Sequence, residues 1–475
     1  MSSNHFEVVV IGSGPAGQKA AIQGAKAGRR VLVLEQDQTV GGACVHHGTI
    51  PSKTLRETAA RLSRPAASGL QVRLAEHARV GALMNRLEEV VAAHEHYIAK
   101  QLDRNNIERW TGRARFLDAH RIEVRPLNGP PRIAVAELVV IATGSRPRTP
   151  DNVPVDHEHI FDSDSVLSMN YLPDSLVVLG GGVIACEYAS IFAALGVKVT
   201  LVDKGERPLS FMDPELTDRF VHALESFGGA YLGGRSVQSV AFDGMDSVDT
   251  VLGTGESVRS EKVLCALGRL ANIESLDVEK AGLRRSARGF VDVDQYCRSG
   301  VPHIYAVGDV IGPPALASSA MEQGRRAVCH ALGLPAPTGL ETIPTGIYTL
   351  PEMASIGLDE RAAAAQGQIL VGRSHFRELA RSHISGSEEG FLKLVADRDS
   401  ARILGVQIIG DGATELIHVG QMALVGRLGV EAFIDNVFNF PTLAEAYRVA
   451  ALDVMRQRQS VPQSAAQSAE DRTAA

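Results

Sequence analysis

The sequence predicts an α/β protein with two Rossmann-like units followed by a C-terminal α+β domain. A strand, glycine turn, helix and second strand run from Phe6 to Glu35. The same order returns from Ser175 to Asp203. From about Ile343 the pattern changes to a mixture of short strands and helices. A length of 475 residues allows two to four domains, enough for this plan.

The bulk properties exclude several classes. A hydrophobic content of 45% and a charged content of 22% describe an ordinary globular chain. The formal net charge of -7 offers no basic surface for nucleic acid. No apolar run reaches the roughly 18 residues of a membrane span. The stretch from Glu7 to Gly14 already reads as strand and turn, with no room before it for a signal peptide. Cys44, Cys186, Cys265, Cys297 and Cys329 match neither a zinc site nor a secreted disulfide framework. The expected compartment is therefore the reducing cytoplasm. All of these cysteines but Cys44 read as small buried hydrophobes.

In the first unit, Val8 to Ile11 is a short β-branched run closed by glycine. Gly12, Gly14 and Gly17 fit G-x-G-x-x-G: the first permits the turn, the second admits a pyrophosphate to the backbone, the third lets the helix pack on the strand. The helix N-terminus would face the phosphates, and Glu35 closes the second strand where a ribose-binding acid is expected. Helical spacing follows over Thr49–Leu62 and Val80–Asn105, then a β region over Trp110–Val135. An apolar strand from Glu137 ends at Thr143-Gly144, and Pro147 and Pro150 suit a linker. In the second unit Gly180, Gly182 and Ala185 fit G-x-G-x-x-A, and Asp203 ends its second strand. Two such units imply two dinucleotides. A carboxylate at Asp203 favours NAD, whereas Lys204 and Arg207 either tolerate the 2′-phosphate of NADP or are simply solvated. His46 and His47 are adjacent, but on an extended loop they would point apart, so no metal site is expected.

Gly41 to Glu57, GGACVHHGTIPSKTLRE, resembles the redox stretch of the pyridine nucleotide–disulfide oxidoreductases, which reads GGxCxxxGCxPSK. Cys44 holds the first cysteine position, but Thr49 holds the second, so no internal redox disulfide can form there. The resemblance implies FAD in the first unit and NAD or NADP in the second. It implies further cofactor contacts at Gly42, Ala114, Thr143, Gly144, Gly268, Asp309 and Ala317, with Arg269 beside Gly268. It makes Lys53 and Glu187 an ion pair beside the flavin, and places Cys44 and Thr49 at the same catalytic centre. The C-terminal domain becomes a dimerisation domain, and the family ending H-P-T-x-x-E appears here as Phe440, Pro441, Thr442 and Glu445.

Thr49 and Phe440 together remove the dithiol and its proton shuttle, while hydride transfer needs neither. GTIPSKTLRE and FNFPTLAEAYRVAA further resemble the transhydrogenase branch of the family. That likeness implies a homodimeric FAD enzyme catalysing NADPH + NAD⁺ ⇌ NADP⁺ + NADH, in a branch where larger polymers form. The alternatives are an NAD(P)H-dependent reductase of a quinone or other acceptor, and a flavin redox sensor that does not turn over. The expected domains are 1–149 and 273–340 for FAD, 150–272 for NAD(P) and 341–459 for dimerisation, with a disordered tail over 460–475.

Overall fold

The computed structural model describes residues 4–63, 76–336 and 342–460. The expected disordered tail lies outside them. The chain begins β1 (His5–Ile11), α1 (Pro15–Lys26), β2 (Val31–Glu35), α2 (Gly42–His46), α3 (Thr49–Ser63) and α4 (Glu76–Arg104). The strands β3 (Glu108–Thr111), β4 (Arg113–Phe116), β5 (Arg121–Arg125), β6 (Arg132–Ile141), β7 (Ser145–Pro147), β8 (Ile160–Asp162) and β9 (Ser175–Leu179) follow. Then come α5 (Val183–Ala194), β10 (Lys198–Val202), α6 (Pro214–Ser226) and β11 (Ala230–Leu232). Next are β12 (Val237–Phe242), β13 (Val248–Leu252), β14 (Ser257–Ser260), β15 (Lys262–Cys265), β16 (Arg269–Ala271), β17 (Ile304–Ala306) and α7 (Ala317–Ala331). The C-terminal part holds β18 (Thr345–Ile347), β19 (Met353–Gly357), α8 (Glu360–Ala364), β20 (Ile369–His375), α9 (Ala380–Ser385), β21 (Gly390–Asp397), β22 (Ile403–Gly410), α10 (Ala413–Val425), α11 (Glu431–Asp435) and α12 (Glu445–Ser460).

The chain packs as two units. One takes the described residues of 1–61, 72–184 and 236–340, and the other those of 62–71, 185–235 and 341–475. In the first, one sheet runs β3-β2-β1-β6-β5-β4, and β17 also pairs with β6. β6 serves three partners: it pairs parallel with β1, its first half pairs antiparallel with β5, and Val139–Ile141 pair parallel with β17. Alternate residues feed opposite cores. Val9, Leu32, Leu34 and Ile141 join one cluster; Val8, Val10, Val31 and Val140 join the other. Burial on both faces is why β1 and β2 read as unbroken apolar runs. The same unit holds the parallel set β8-β15-β9 and the antiparallel set β12-β13-β14.

The second unit contains the parallel pair β10-β11 and the antiparallel sheet β18-β19-β22-β21-β20. Helix α12 crosses β20 closely: a Cβ on Gly372 would lie 2.0 Å from the Ala450 carbonyl oxygen. Tyr447, fully buried, donates its hydroxyl to Leu416 O and accepts from Gly420 N, fastening α12 to α10. Lys393 on β21 is 1% exposed and meets both oxygens of the equally buried Asp213 at 2.9 Å. Glu215 lies 2.8 Å from the same ammonium, and Asp213 also caps α6 by accepting from Glu215 N. Among the described residues, no helix is long and apolar enough to cross a membrane.

Removing one member of a buried ion pair strands the other in a low-dielectric setting. Lys393→Met should therefore lower the unfolding free energy by about 3 kcal/mol, read as a lower urea midpoint at unchanged slope. A midpoint equal to that of the unsubstituted protein would show that Asp213 finds compensation elsewhere.

Candidate functional site

The first glycine turn lies between β1 and α1. A Cβ on Gly12 would meet the Ala142 carbonyl oxygen at 2.3 Å, and one on Gly17 the Gly12 carbonyl oxygen at 2.0 Å. Gly12 also has φ +104°, which L side chains rarely adopt. Gly14, by contrast, faces open space. It is the N-cap of α1, with no side chain bonded to the first turn, so that turn presents unpaired N–H groups. Glu35 ends β2 and accepts four donors: Ser13 N and Oγ on Oε2, Gln36 N and Asp37 N on Oε1. These fill its acceptor capacity, so a ligand hydroxyl at Glu35 would displace one of them.

The redox stretch folds back onto this turn. A Cβ on Gly42 would lie 3.0 Å from Gly14 Cα, and Gly41 N donates to Ser13 Oγ at 3.0 Å. The segment expected to be an extended loop is helical over Gly42–His46, because these contacts fix its start. His46 Nε2 lies 2.9 Å from Val40 O, and no group of three or more His, Cys, Asp or Glu suited to a metal occurs among the described residues. Cys44 is half-buried and its thiol is hydrogen-bonded to Thr49. Burial pushes the thiol pKa up; the Thr49 bond and the Lys53 charge pull it down, and the Asp309 carboxylate adds to the rise. Cys44, Thr49, Lys53 and Asp309 thus share one electrostatic neighbourhood.

Asp309 is half-buried on a short 3₁₀ turn after β17. Its Oδ2 accepts from Ser145 Oγ at 2.7 Å. Thr143 Oγ1 is buried with no hydrogen-bond partner among the described residues, and Gly144 has φ +68° with nothing near its Cβ position. Helix α7 begins at Ala317, again without a side-chain cap. It crosses α1 where a Cβ on Gly324 would lie 2.1 Å from Ala16 O. Ala114 lies on β4 and belongs to a hydrophobic core cluster.

The second glycine turn repeats the first. A Cβ on Gly180 would lie 2.6 Å from Ala266 O, while Gly182 faces open space. Gly268, at φ +108°, is likewise open. On α5, Glu187 is buried and accepts the Tyr348 backbone N–H at 3.0 Å. Asp203 accepts from Gly205 N at 3.1 Å. Lys204 is exposed, but Arg207 is half-buried and its Nε has no hydrogen-bond partner among the described residues. Phe440 is 74% exposed, while Glu445 starts α12 with its carboxylate 3.4 Å from Thr442 N.

Residues 6–324 match the model of the pyridine nucleotide-disulphide oxidoreductases, and residues 343–451 match the dimerisation domain of that family. The chain belongs to the pyridine nucleotide-disulphide oxidoreductase family. Its relatives include a soluble pyridine nucleotide transhydrogenase of Mycobacterium bovis, 41% identical over 96% of this chain and 99% of that protein. One of the same name from Hahella chejuensis is 41% identical over 95% and 99%. Among solved structures, LpdA from Mycobacterium tuberculosis superposes with a TM-score of 0.87 at 28% identity, covering 94% of this chain and 99% of that one. The HOCl-induced flavoprotein disulfide reductase RclA from Escherichia coli gives 0.86 at 25% identity, covering 94% and 99%.

Two features of this family member fit a bound dinucleotide in the first unit: the open face of Gly14 above uncapped N–H groups, and the orphaned Thr143 hydroxyl. Ser13 and Ser145 are not among the residues expected from the sequence. Both are small polar residues beside glycine motifs, and their partners are 22 and 164 residues away. Position within the motif was the available signal: each follows a motif glycine directly.

A raised thiol pKa keeps Cys44 protonated at neutral pH. Its alkylation by iodoacetamide at neutral pH should run about tenfold slower than that of an unhindered thiol, rising as pH climbs past the ordinary thiol range. Mass spectrometry of Cys44 peptides reads this. A rate already on its plateau at neutral pH would contradict the protonated state.

Proposed function

We propose that this protein is a flavoprotein transhydrogenase that moves hydride between NADPH and NAD⁺ without a redox disulfide. The observation that carries the reading is the partner of Cys44: a hydroxyl, Thr49, in a chain whose two dinucleotide turns are both intact. The two relatives named soluble pyridine nucleotide transhydrogenase match almost end to end, which supports the same activity.

FAD, when bound in the first unit, supplies a ring that takes up a hydride and gives it back. The protein's part is positioning and electrostatics. The uncapped first turn of α1 would take the pyrophosphate on its N–H groups, with Gly14 giving access. Asp309 would accept from ribityl hydroxyls. Lys53 would place a positive charge where the reduced cofactor gains electron density, and the family resemblance gives it Glu187 as counter-ion. The Ala317 end of α7 adds a positive dipole end. Cys44, held protonated, has no second sulfur to exchange with, so no thiol chemistry competes.

The nucleotides that bring and collect hydride would bind at the second glycine turn, Gly180 and Gly182, and at Gly268. Asp203 and Arg207 offer both kinds of recognition: a carboxylate for the ribose hydroxyls of NAD and a half-buried guanidinium for the 2′-phosphate of NADP. Lys204 adds a nearby solvated charge. The domain division is 1–149 with 273–340, 150–272 and 341–459. The working form is a cytoplasmic homodimer, alone or as the repeating pair of a larger polymer.

The direct test is steady-state reduction of an NAD⁺ analogue by NADPH, run beside quinone and lipoamide acceptors. Turnover confined to quinones, or with lipoamide, would reject the reading. Arg207→Ala should raise KM for NADPH about tenfold, as loss of a charge-assisted hydrogen bond does, and leave KM for NADH within about twofold. Equal changes for both nucleotides would show that Arg207 does not read the phosphate.

A further inference from the structure

Strands β7 and β16 form an antiparallel two-stranded ribbon, with Ala271 opposite Ser145 and Arg269 opposite Pro147. Arg269 grips the start of that ribbon. Its Nε donates to Ser145 Oγ at 2.8 Å, its Nη2 to Ser145 O at 2.8 Å and its Nη1 to Ser163 Oγ at 3.1 Å, with Asp164 at 3.4 Å. Ser145 is 9% exposed. Its hydroxyl has one proton, and a guanidinium can only donate. The proton of Ser145 therefore goes to Asp309 Oδ2, 2.7 Å away. Among the described residues this is the one hydrogen bond made by the Asp309 carboxylate, so Oδ1 is left for a ligand.

We propose that Ser145 is a positioning residue for the flavin site: its hydroxyl fixes the rotation of the Asp309 carboxylate and is itself held by the Arg269 guanidinium. The proposal rests on the reading of the first unit as an FAD site. The direction is set by chemistry. A cation donates to a hydroxyl, which donates to a carboxylate, and each link polarises the next. Without Ser145, the Asp309 carboxylate is free to turn, and the guanidinium loses a neutral acceptor in a nearly buried place. The remaining Arg269 bonds, to Ser145 O and Ser163, do not involve the Ser145 hydroxyl, so the ribbon keeps its backbone pairing. The effect belongs to the ligand end of the chain rather than to the fold.

The test uses full-length protein stripped of flavin and titrated with FAD, followed by fluorescence quenching. Ser145→Ala should weaken FAD binding about tenfold, and Ser145→Thr, which keeps the hydroxyl, should bind within about twofold of the unsubstituted protein. In an Asp309→Asn background, Ser145→Ala should add less than about twofold, because the partner it orients is already altered. An Ala variant that binds FAD like the parent overturns the proposal. So does a Thr variant as weak as Ala, or an Ala effect undiminished beside Asp309→Asn. Failure of the parent protein to take up FAD would instead reject the flavoprotein reading itself. Parent protein that binds FAD but passes no hydride to NAD⁺ would reject the transhydrogenase reading and leave the Ser145 result interpretable.

Discussion

A Cβ at Gly17 would sit 2.0 Å from the Gly12 carbonyl oxygen, and one at Gly12 would sit 2.3 Å from that of Ala142. Helix α1, strand β1 and the end of β6 meet at a distance only bare backbone permits. Further contacts depend on this crossing. Gly14 is left facing open space at the helix start. Gly42 rests on Gly14 from the redox stretch. Gly324 brings α7 against Ala16. Ser13 then locks the turn, donating to Glu35 and accepting from Gly41 N. The redox stretch therefore sits on the dinucleotide turn itself, and Asp309, from a distant part of the chain, shares with Thr49 and Lys53 the field around Cys44.

What that neighbourhood lacks is as coherent as what it keeps. A disulfide cycle needs two sulfurs and a group to move the thiol proton. Thr49 hydrogen-bonds to the Cys44 thiol, which burial holds protonated. At the other end of the chain, Phe440 has no titratable atom. Glu445, left without an imidazole, instead accepts from Thr442 N at the start of α12, while the Thr442 hydroxyl donates to Asn439 O. Lys53, Glu187 and Asp309, which the family resemblance assigns to the cofactors, are retained. Substitution has removed one arm of the family's chemistry and left the hydride-handling core standing.

Much of this was legible in the sequence because it is local. Glycine spacing between a β-branched run and a helical run marks a Rossmann turn, and both turns have the expected division of labour: Gly12 and Gly180 touch a neighbouring carbonyl, while Gly14 and Gly182 stay open. Helix α3 starts at Thr49 as its spacing predicts. The residues that went unread act over long separations. Ser145 meets Asp309 across 164 positions. Lys393 meets Asp213 across 180 and is fully buried on a strand whose neighbours are apolar. A lysine in such a run carries no local sign of its partner. The helical form of Gly42–His46 was missed for the same reason: contacts with Gly14 and Ser13 decide it, and neither is nearby in sequence.

An FAD enzyme with a redox disulfide and one without it differ in how many electrons the loaded protein can store. Anaerobic titration of the FAD-bound protein with NADPH, followed by flavin absorbance and a count of free thiols, measures that capacity directly. A flavin with a single thiol beside it should be fully reduced by one hydride equivalent per FAD, with no new thiol appearing. Uptake of a second equivalent before the flavin bleaches, with two thiols released, would mean that a disulfide takes part and would contradict the account.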